Sequence, residues 1–342
     1  MSKIEWTDMT LNPVIGCSHA GFRAQDGAKR AHPGCENCYA EVMCSRRLPG
    51  FEAHNACSSG GRWTGKIEVL HERILWPFTR KEYARRRDDK QRRVFLTSLS
   101  DMGHPALPER DWMAIQGMMI CAHWIDWQDL TKRPDRQREL LQKHGPLECV
   151  EALLAIKGAS DLPYLRMCLE GQQWLDGLGM LSWAREEHIH RYVSVSDQAT
   201  ADALIPELLR MPAAVRGVSA EPLLGPIDLW QAIFKVRFED METLGAMNAL
   251  GFIDGMGYGL DHVIIGGESG RNARLCHMGW ILELLEQCKA GGVPAFVKQL
   301  GARVVWLPGQ GGLADLGSKG QAFDGWPSGL KLRMNVGDVW KS

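Results

Sequence analysis

The chain has 342 residues, of which 45% are hydrophobic and 24% are charged. This composition is ordinary for a globular protein and excludes wholesale disorder, collagen and coiled coil. At about 150 residues per domain, the length predicts two domains or one α/β barrel with insertions. Because 40 Lys and Arg residues nearly balance 41 Asp and Glu residues, no global field attracts nucleic acid or membrane, and any polyanion site must be local.

The N-terminus and the hydropathy predict a cytosolic protein. The opening residues, MSKIEWTDMT, lack the regions of a signal peptide, and no apolar run is long enough to span a membrane. Its 10 cysteines are then expected to stay reduced, which favours metal, cluster or catalytic thiols over disulfides. Seven scattered cysteines are predicted to be buried thiols without a special role: Cys44, Cys57, Cys121, Cys149, Cys168, Cys276 and Cys288.

Short β-rich runs, each followed by polar residues and a helical pattern, predict βα units around parallel strands. In chain order the runs are residues 12–17, 93–101, 127–133, 191–196, 215–221, 262–268 and 293–299. Helices are predicted between them, for example at 109–122 and at 278–290. Residues 145–188 are predicted as a helical insertion and residues 302–342 as an irregular C-terminal cap, so the predicted barrel domain is 1–301.

Each run ends in residues that can do chemistry. Because the carboxyl ends of barrel strands converge on one mouth, these residues predict an active site there. The alternative is that the strands simply enter solvated loops, where polar residues are common. The strand-end residues are Cys17, Ser100, Asp101, Thr131, Lys132, Arg133, Ser194, Ser196, Glu221, Glu268, Lys298 and Gln299.

The third run ends in a hydroxyl and two cations, Thr131, Lys132 and Arg133. This set suits a carboxylate or a phosphate, and Arg offers a bidentate geometry that Lys lacks. The alternative is an ion pair with Asp101 or Glu221 across the mouth. The predicted catalytic and substrate-contacting residues are Lys132, Arg133, Asp101, Glu221 and Lys298.

Three cysteines near the N-terminus form a Cys-x17-Cys-x2-Cys-Tyr pattern, made by Cys17, Cys35, Cys38 and Tyr39. A [4Fe-4S] cluster held by three cysteines leaves one iron open, and the amine and carboxylate of S-adenosylmethionine can chelate that iron. The spacing also allows a zinc knuckle. A strand exit at a barrel mouth favours the cluster, because an open coordination position is useful there. The candidate fourth zinc ligands are His19, His32 and Cys44.

Motif-like stretches follow one another over nearly the whole chain: EWTDMTLNPVIGC, GCENCYAE, RVFLTSLSDM, LTKRP, SAEPLLGPIDL, IIGGESG with the following NAR, and VPAFVKQLG. Together they resemble a phage and prophage radical-SAM-like family whose biochemical role is poorly defined. The resemblance implies a partial TIM-like barrel of the radical SAM type, with Cys17, Cys35 and Cys38 as cluster ligands. More distantly, the chain is similar to spore photoproduct lyase, a radical SAM enzyme that acts on thymine in DNA.

The resemblance also implies a cofactor site. Radical SAM enzymes carry a Gly-Gly-Glu motif, earlier in the chain than here, that holds the methionyl amine. Glycines let a ligand approach the backbone, and a glutamate accepts hydrogen bonds. A glycine-rich turn without a ligand is the alternative. The predicted contacts to S-adenosylmethionine are Gly266, Gly267, Glu268, Ser269, Ser194, Ser196 and Tyr39.

Two features depart from the family pattern. The first two cysteines are separated by 17 residues instead of a short gap, so a loop must bulge out between them. Ser196 and Asp197 stand at the end of the fourth strand, where an acidic and an amide residue are usual. The second departure bears on how substrate is bound.

A local basic stretch lies at residues 80–93, RKEYARRRDDKQRR, with eight basic and three acidic residues and hence an excess of +5. Such a patch can neutralise several phosphates, and the nearby Trp63 and Trp76 can stack on bases. The alternatives are a solvated helix face for the basic stretch and core packing for the tryptophans.

The sequence therefore predicts an isomerase-like or lyase-like radical SAM enzyme that modifies a nucleobase substituent, with modified thymine in phage DNA as the favoured substrate. The expected cofactors are a [4Fe-4S] cluster and S-adenosylmethionine. DNA or a modified nucleotide and an electron donor such as flavodoxin are the expected partners, in the cytoplasm of the bacterial host if a phage encodes the chain. The alternatives are radical SAM chemistry on a small metabolite or peptide, and a zinc-stabilised nucleic-acid-binding protein without catalysis.

Overall fold

The computed structural model describes residues 4–44, 52–84, 92–178, 180–232, 259–306, 313–315, 326, 329, 331–336 and 338. The chain divides into two compact units. The first comprises Met1–His19, Cys38–Arg191 and Met211–Val215, and the second comprises Ala20–Asn37, Tyr192–Arg210 and Arg216–Ser342. The boundary between a barrel domain at 1–301 and a cap at 302–342 stays a prediction.

The described residues form short strands and helices in alternation. The strands are β1 (Met9–Leu11), β2 (Val14–Ile15), β3 (Gly21–Arg23), β4 (Lys29–Ala31), β5 (Ser58–Ser59), β6 (Arg62–Trp63), β7 (Glu68–Val69), β8 (Arg92–Leu96), β9 (Ile125–Thr131), β10 (Ile189–Val195), β11 (Val215–Ala220), β12 (His262–Gly266), β13 (Cys276–His277), β14 (Ala295–Gln299), β15 (Arg303–Val305) and β16 (Leu313–Asp315). The helices are α1 (Tyr39–Cys44), α2 (Glu52–Cys57), α3 (His71–Ile74), α4 (Trp76–Thr79), α5 (Glu109–Cys121), α6 (Pro134–Lys143), α7 (Pro146–Leu154), α8 (Pro163–Gly177), α9 (Gln198–Leu209) and α10 (Met278–Ala290). Single 3-10 turns lie at Pro33–Cys35, Lys81–Tyr83 and Trp183–Arg185.

Seven strands form one sheet in the order β1-β8-β9-β10-β11-β12-β14. Each strand of this sheet lies beside the sheet strand that precedes it in the chain, as in a barrel and unlike a doubly wound sheet. The pairs β1–β8, β8–β9, β11–β12 and β12–β14 are parallel. A mixed α/β architecture compatible with a partial (β/α) barrel is therefore confirmed.

The first predicted strand, residues 12–17, is wrong in position. The sheet strand is β1, whereas β2 pairs antiparallel with β7 in a separate small sheet. Pro13 stands between β1 and β2 and has no N–H to donate to a ladder. Strand β8 also ends earlier than predicted, at Leu96, because Thr97 has a left-handed φ of 54°. The polar residues that follow both strands therefore belong to loops.

The first unit has its core around α5. Trp112, Ile115 and Met118 of this helix are fully buried. Glu109 and Asp111 lie in its first turn, where acidic side chains favour the positive end of the helix dipole. Helices α7 and α8 account for the helical character predicted at 145–188, and α7 packs against α5.

The second unit is organised around β11, β12 and β14. Val263, Ile264 and Ile265 of β12 are fully buried, as expected for a strand covered on both faces. Helix α9 begins at a capping box in which Asp197 accepts the backbone N–H of Thr200 at 2.9 Å. Within the predicted irregular cap, β15 and β16 form a three-stranded sheet with β13.

One pair of cysteines departs from the expected reduced state. Cys121 at the end of α5 and Cys168 on α8 form a disulfide, with Cα atoms 5.9 Å apart. Folding of α8 toward α5 brings these thiols into the range that a disulfide requires, and spacing along the chain could not predict this. The other scattered cysteines are buried free thiols, as predicted: Cys44, Cys57, Cys149, Cys276 and Cys288. Among the described helices, none is both long enough and apolar enough to cross a bilayer.

Because α5 and α7 are in close contact, adding one methyl group at Gly117 is expected to have a large effect on stability. A Cβ on Gly117 would overlap the carbonyl oxygen of Cys149. We expect Gly117→Ala to lower the free energy of unfolding by about 1–3 kcal/mol, because α7 would have to move away from α5. Denaturant unfolding followed by circular dichroism measures this change.

Gly171 on α8 is the matched control, since a Cβ there would meet nothing within 4 Å. Gly171→Ala should raise the free energy of unfolding by up to about 1 kcal/mol, the helix-propensity difference between the two residues. Equal effects of the two substitutions would contradict the close α5–α7 packing.

Candidate functional site

In the first unit, the end of β9 carries a buried ion pair. Pro134 begins α6 and disfavours a helical conformation for the preceding residue, and Arg133 is indeed non-helical, with a φ of −133° and a ψ of 59°. Its Nη1 donates to Asp101 Oδ2 at 2.9 Å, and both side chains are mostly buried. Its Nη2 donates to the carbonyl and hydroxyl oxygens of Ser18 at 2.8 and 3.1 Å. Arg133 thus forms the ion pair with Asp101 that the sequence left open as an alternative.

Asp101 accepts hydrogen bonds from the loop that follows β8 and from residues at the end of β9. The donors are Thr131 Oγ1 at 2.6 Å, the backbone N–H of Gly103 at 2.8 Å and the backbone N–H of Lys132 at 3.1 Å. Burial raises the pKa of Asp101, but the charge of Arg133 and these hydrogen bonds outweigh it and hold the pKa below its ordinary value. The carboxylate is therefore ionised at neutral pH and its lone pairs are in use.

Cys17 lies beside this ion pair. It follows Gly16, whose φ of 95° favours glycine and whose Cβ would overlap the carbonyl oxygen of Lys66. Nη1 of Arg133 donates to Cys17 Sγ at 3.8 Å. The structure thus brings together three predicted site residues, Cys17, Asp101 and Arg133, which are far apart in the sequence.

His104 belongs to the same group, and the sequence patterns did not indicate it. Its Nδ1 accepts the N–H of Ala106 at 3.1 Å, so Nε2 carries the proton and donates to Ser18 Oγ at 3.0 Å. Burial, and then the charge of Arg133, lower the pKa of His104 to about 4. Only its position in the sequence, in the loop after β8 and shortly after Asp101, could have indicated that it belongs to this group.

The cysteine pattern is divided between the two units. Cys17 and Cys38 belong to the first unit and Cys35 to the second. Cys35 is buried, and its Sγ accepts the backbone N–H of Ala20 at 3.4 Å. Across the described part of the chain, no three His, Cys, Asp or Glu side chains are assembled as a metal site. The joint ligand role of these three cysteines therefore stays a prediction.

The three candidate fourth ligands for zinc all have other contacts. His32 is buried, its Nδ1 accepts a backbone N–H at 3.0 Å and its Nε2 donates to the carbonyl of Ser194 at 2.9 Å. Cys44 is fully buried in an apolar cluster, and burial raises the pKa of its thiol to about 12. His19 lies 3.3 Å from the buried carboxylate of Glu41. His32 and Cys44 are thus in use, whereas His19 is exposed and contacts Glu41 through Nε2.

In the second unit, packing constrains Gly266, the last residue of β12, and Gly267, which follows it. A Cβ on Gly266 would lie 2.5 Å from Oε1 of Glu221, and a Cβ on Gly267 would overlap the carbonyl oxygen of Leu300. Ser269, further along the loop, is exposed. Backbone packing thus accounts for Gly267, whereas the close neighbour of Gly266 is the end of a flexible side chain, and the cofactor role of this turn stays a prediction.

The carboxylate of Glu268 is buried and fully engaged. Arg274 donates to it from Nη2 at 2.6 Å, from its backbone N–H at 2.8 Å and from Nε at 3.0 Å. Asn37 Nδ2 donates to it at 3.1 Å. Burial raises the pKa of Glu268, but these donors outweigh it and lower the pKa. Sequence reasoning missed Asn37, which lies between two site cysteines, and used Arg274 only as part of a family motif.

The other predicted residues of this unit divide into paired and unpaired groups. Glu221 forms an ion pair with Lys298 at 2.9 Å, and the hydroxyl of Ser194 donates to the Glu221 carbonyl at 3.0 Å. Ser196 is fully buried, and its Oγ has no hydrogen-bond partner among the described residues. A Cβ on Gly34 would lie 3.1 Å from that Oγ. The Ser196 hydroxyl therefore retains hydrogen-bonding capacity that these neighbours do not use.

The remaining candidates lie in the first unit. Tyr39 is half exposed, and its hydroxyl donates to the carbonyl of Ser98 at 2.8 Å. The guanidinium groups of Arg73 and Arg80 lie 5.2 and 5.3 Å from the ring of Trp76. Trp63 packs against the cluster around Cys44. Of the basic stretch 80–93, residues 85–91 lie outside the described residues.

Breaking the buried ion pair should strongly reduce stability. We expect Asp101→Asn to lower the free energy of unfolding by about 3–5 kcal/mol, because the Arg133 charge stays buried without its counter-ion. Because the pKa is lowered on folding, this contribution is complete above the unfolded pKa of 3.8 and is lost as the pH falls through the folded value. Denaturant unfolding at pH 7 measures the loss.

An exposed pair provides the control for this substitution. Arg30 and Asp26 lie 2.5 Å apart on the β3–β4 hairpin, and about half of each side chain is exposed. Asp26→Asn should cost about 1 kcal/mol or less. Equal costs at the two sites would contradict the buried role of Asp101.

His104 should make stability depend on pH in the acid range. Its pKa is 6.5 when unfolded and about 4 when folded, so the unfolded state binds more protons between these values and stability falls as the pH drops. We expect His104→Asn to remove up to about 3 kcal/mol of this dependence. The difference in the free energy of unfolding between pH 7 and pH 4.5 measures this dependence. A variant with the same difference as the unmodified protein would refute the assignment.

Comparison with known proteins gives the family of the chain. No curated protein and no solved structure matches it. A family model described as "Protein of unknown function (DUF5131)" matches residues 1–326 and so includes every site residue discussed above. That description names no activity, no cofactor and no phage source. The chain belongs to the DUF5131 family.

Proposed function

We propose that the protein is a radical SAM enzyme whose [4Fe-4S] cluster is held by Cys17, Cys35 and Cys38. The observation that carries this proposal is the buried engagement of His32 and Cys44, together with the contact between His19 and Glu41. With these candidates engaged, the cysteine pattern supplies three ligands. Three ligands fit a cluster with one open iron better than a closed tetrahedral zinc site.

The surroundings of the thiols also support thiolate ligands. Arg133 donates to Cys17 Sγ, and the backbone N–H of Ala20 donates to Cys35 Sγ. Donors of this kind stabilise negative charge on sulfur and tune the potential of iron–sulfur clusters. When bound, the cluster and S-adenosylmethionine would supply a 5'-deoxyadenosyl radical through one-electron cleavage of the sulfonium bond.

The contacts of the first unit suggest different roles for the two cations of the Lys132–Arg133 pair. Arg133 is engaged by Asp101, Ser18 and Cys17, so we assign it to positioning the Cys17 loop. Lys132 enters the network through its backbone N–H and is partly exposed. Its ammonium group is therefore the cation that we assign to an anionic substrate.

For the substrate, we propose a nucleobase substituent, with modified thymine in phage DNA as the favoured case. The support is the resemblance to spore photoproduct lyase together with the excess of +5 in the sequence of residues 80–93. Neutralisation of phosphates by such a stretch would make binding fall steeply with added salt.

Anaerobic purification and reconstitution tests the proposed chemistry. We expect a brown protein that contains iron and sulfide and that releases 5'-deoxyadenosine from S-adenosylmethionine under a strong reductant. Cys35→Ala should lose both the iron and the turnover. Cys288→Ala, which removes a fully buried free thiol of the same unit, should keep both. A colourless protein with one zinc, or a Cys35→Ala variant with full iron content, would refute the proposal.

The substrate class is tested separately with the reconstituted protein. Modified and unmodified DNA are compared by product analysis and by binding at increasing salt. Turnover of S-adenosylmethionine without salt-sensitive DNA binding would favour a small metabolite or a peptide as substrate.

A further inference from the structure

In the second unit, a charged network joins the loop that carries Cys35 to the loop after β12. The first loop contains the 3-10 turn Pro33–Cys35, which His32 caps by accepting the N–H of Gly34. The second loop, residues 267–275, lies between β12 and β13 and carries Glu268 and Arg274. Every contact in this network lies within one unit.

Arg274 is the centre of this network. Its side chain forms a two-point contact with Glu268, through Nη2 at 2.6 Å and Nε at 3.0 Å. The same Nη2 donates to the carbonyl oxygen of Pro33 at 3.0 Å, and Nη1 donates to Glu36 at 2.8 Å. One planar guanidinium group therefore contacts residues on both sides of Cys35, a geometry that Lys cannot reproduce.

Asn37 forms a second link between the same loops. Its Nδ2 donates to Glu268 at 3.1 Å and to the carbonyl oxygen of Asn272 at 3.0 Å. Residues 33, 36 and 37 are thus all hydrogen-bonded to the loop after β12. These contacts lie on both sides of Cys35 in the sequence.

We propose that Glu268 and Arg274 are positioning residues that hold the Cys35 turn, and that Glu268 does not bind the methionyl amine of S-adenosylmethionine. The proposal rests on the proposed function only in taking Cys35 to be a cluster ligand. The carboxylate of Glu268 accepts four donors already, so binding an amine would require it to give up Arg274 or Asn37. Displaced Arg274 would then leave the Pro33 carbonyl without that donor.

Thiol labelling of the metal-free protein tests the proposal without any cofactor. Iodoacetamide labelling is followed by mass spectrometry at Cys35, with the partly exposed Cys38 of the same molecule as the reference. Glu268→Gln and Arg274→Gln should each speed the labelling of Cys35 at least about tenfold, because each removes charge-assisted hydrogen bonds that hold the turn. The double variant should match either single variant, since the pair acts as one unit.

Two controls separate positioning from general destabilisation. Glu36→Gln removes only an exposed partner of Arg274 and should change the labelling of Cys35 less than about twofold. Cys288, fully buried in the same unit, reports global opening and should stay unlabelled in all variants. Labelling of Cys288 in parallel with Cys35, or an unchanged rate at Cys35, would overturn the proposal.

Reconstitution separates this proposal from the proposed function. We expect both Glu268→Gln and Arg274→Gln to lower the iron content, while the remaining loaded protein still binds S-adenosylmethionine in equilibrium dialysis. A Glu268→Gln protein with full iron content but no S-adenosylmethionine binding would assign Glu268 to the cofactor and overturn the proposal. If the unmodified protein takes up no iron, the proposed function fails, and the labelling rates still decide whether Glu268 and Arg274 hold the turn.

Discussion

Buried charge has to be paired, and this constraint organises the loops that follow the parallel strands. In the first unit, Asp101 and Arg133 follow β8 and β9 and neutralise each other, with both side chains mostly buried. In the second unit, Glu268 follows β12 and is neutralised by Arg274. Removing one partner would leave an uncompensated charge in a low-dielectric environment, which is far more costly than losing an exposed pair.

Because buried charges must be paired, several charged residues that the sequence assigned to ligand binding are instead in contact with each other or with neighbouring loops. Asp101, Arg133 and Glu268 suit substrate or cofactor binding as isolated residues, yet each is occupied by neighbours. Their effect is to fix loops that carry Cys17 in one unit and Cys35 in the other. For the proposed cluster site, a rigid support of this kind would provide preorganisation, since loosely held ligands lose both geometry and affinity.

The sequence predicted the sheet strands better than their ends. Six of the seven runs coincide with sheet strands because buried parallel strands give continuous apolar and β-branched runs. The first run failed because Val14 and Ile15 are apolar and form a strand, but one that pairs outside the sheet. His104, Asn37 and the contacts of Arg274 escaped prediction because loops carry no periodicity that says which side chains meet. The disulfide between Cys121 and Cys168 escaped for a similar reason, since it depends on how two helices pack.

Local order along the chain was sufficient to predict a mixed α/β protein, the approximate strands and a group of polar residues at their ends. Hydrophobic periodicity and turn chemistry act over a few residues, so they can be read directly from the sequence. Tertiary structure alone decided which charges pair, which glycines are required by packing and which histidines are already hydrogen-bonded. Those properties depend on contacts between residues far apart in the chain, such as Ser18 with Arg133 and Asn37 with Glu268, and no local pattern specifies them.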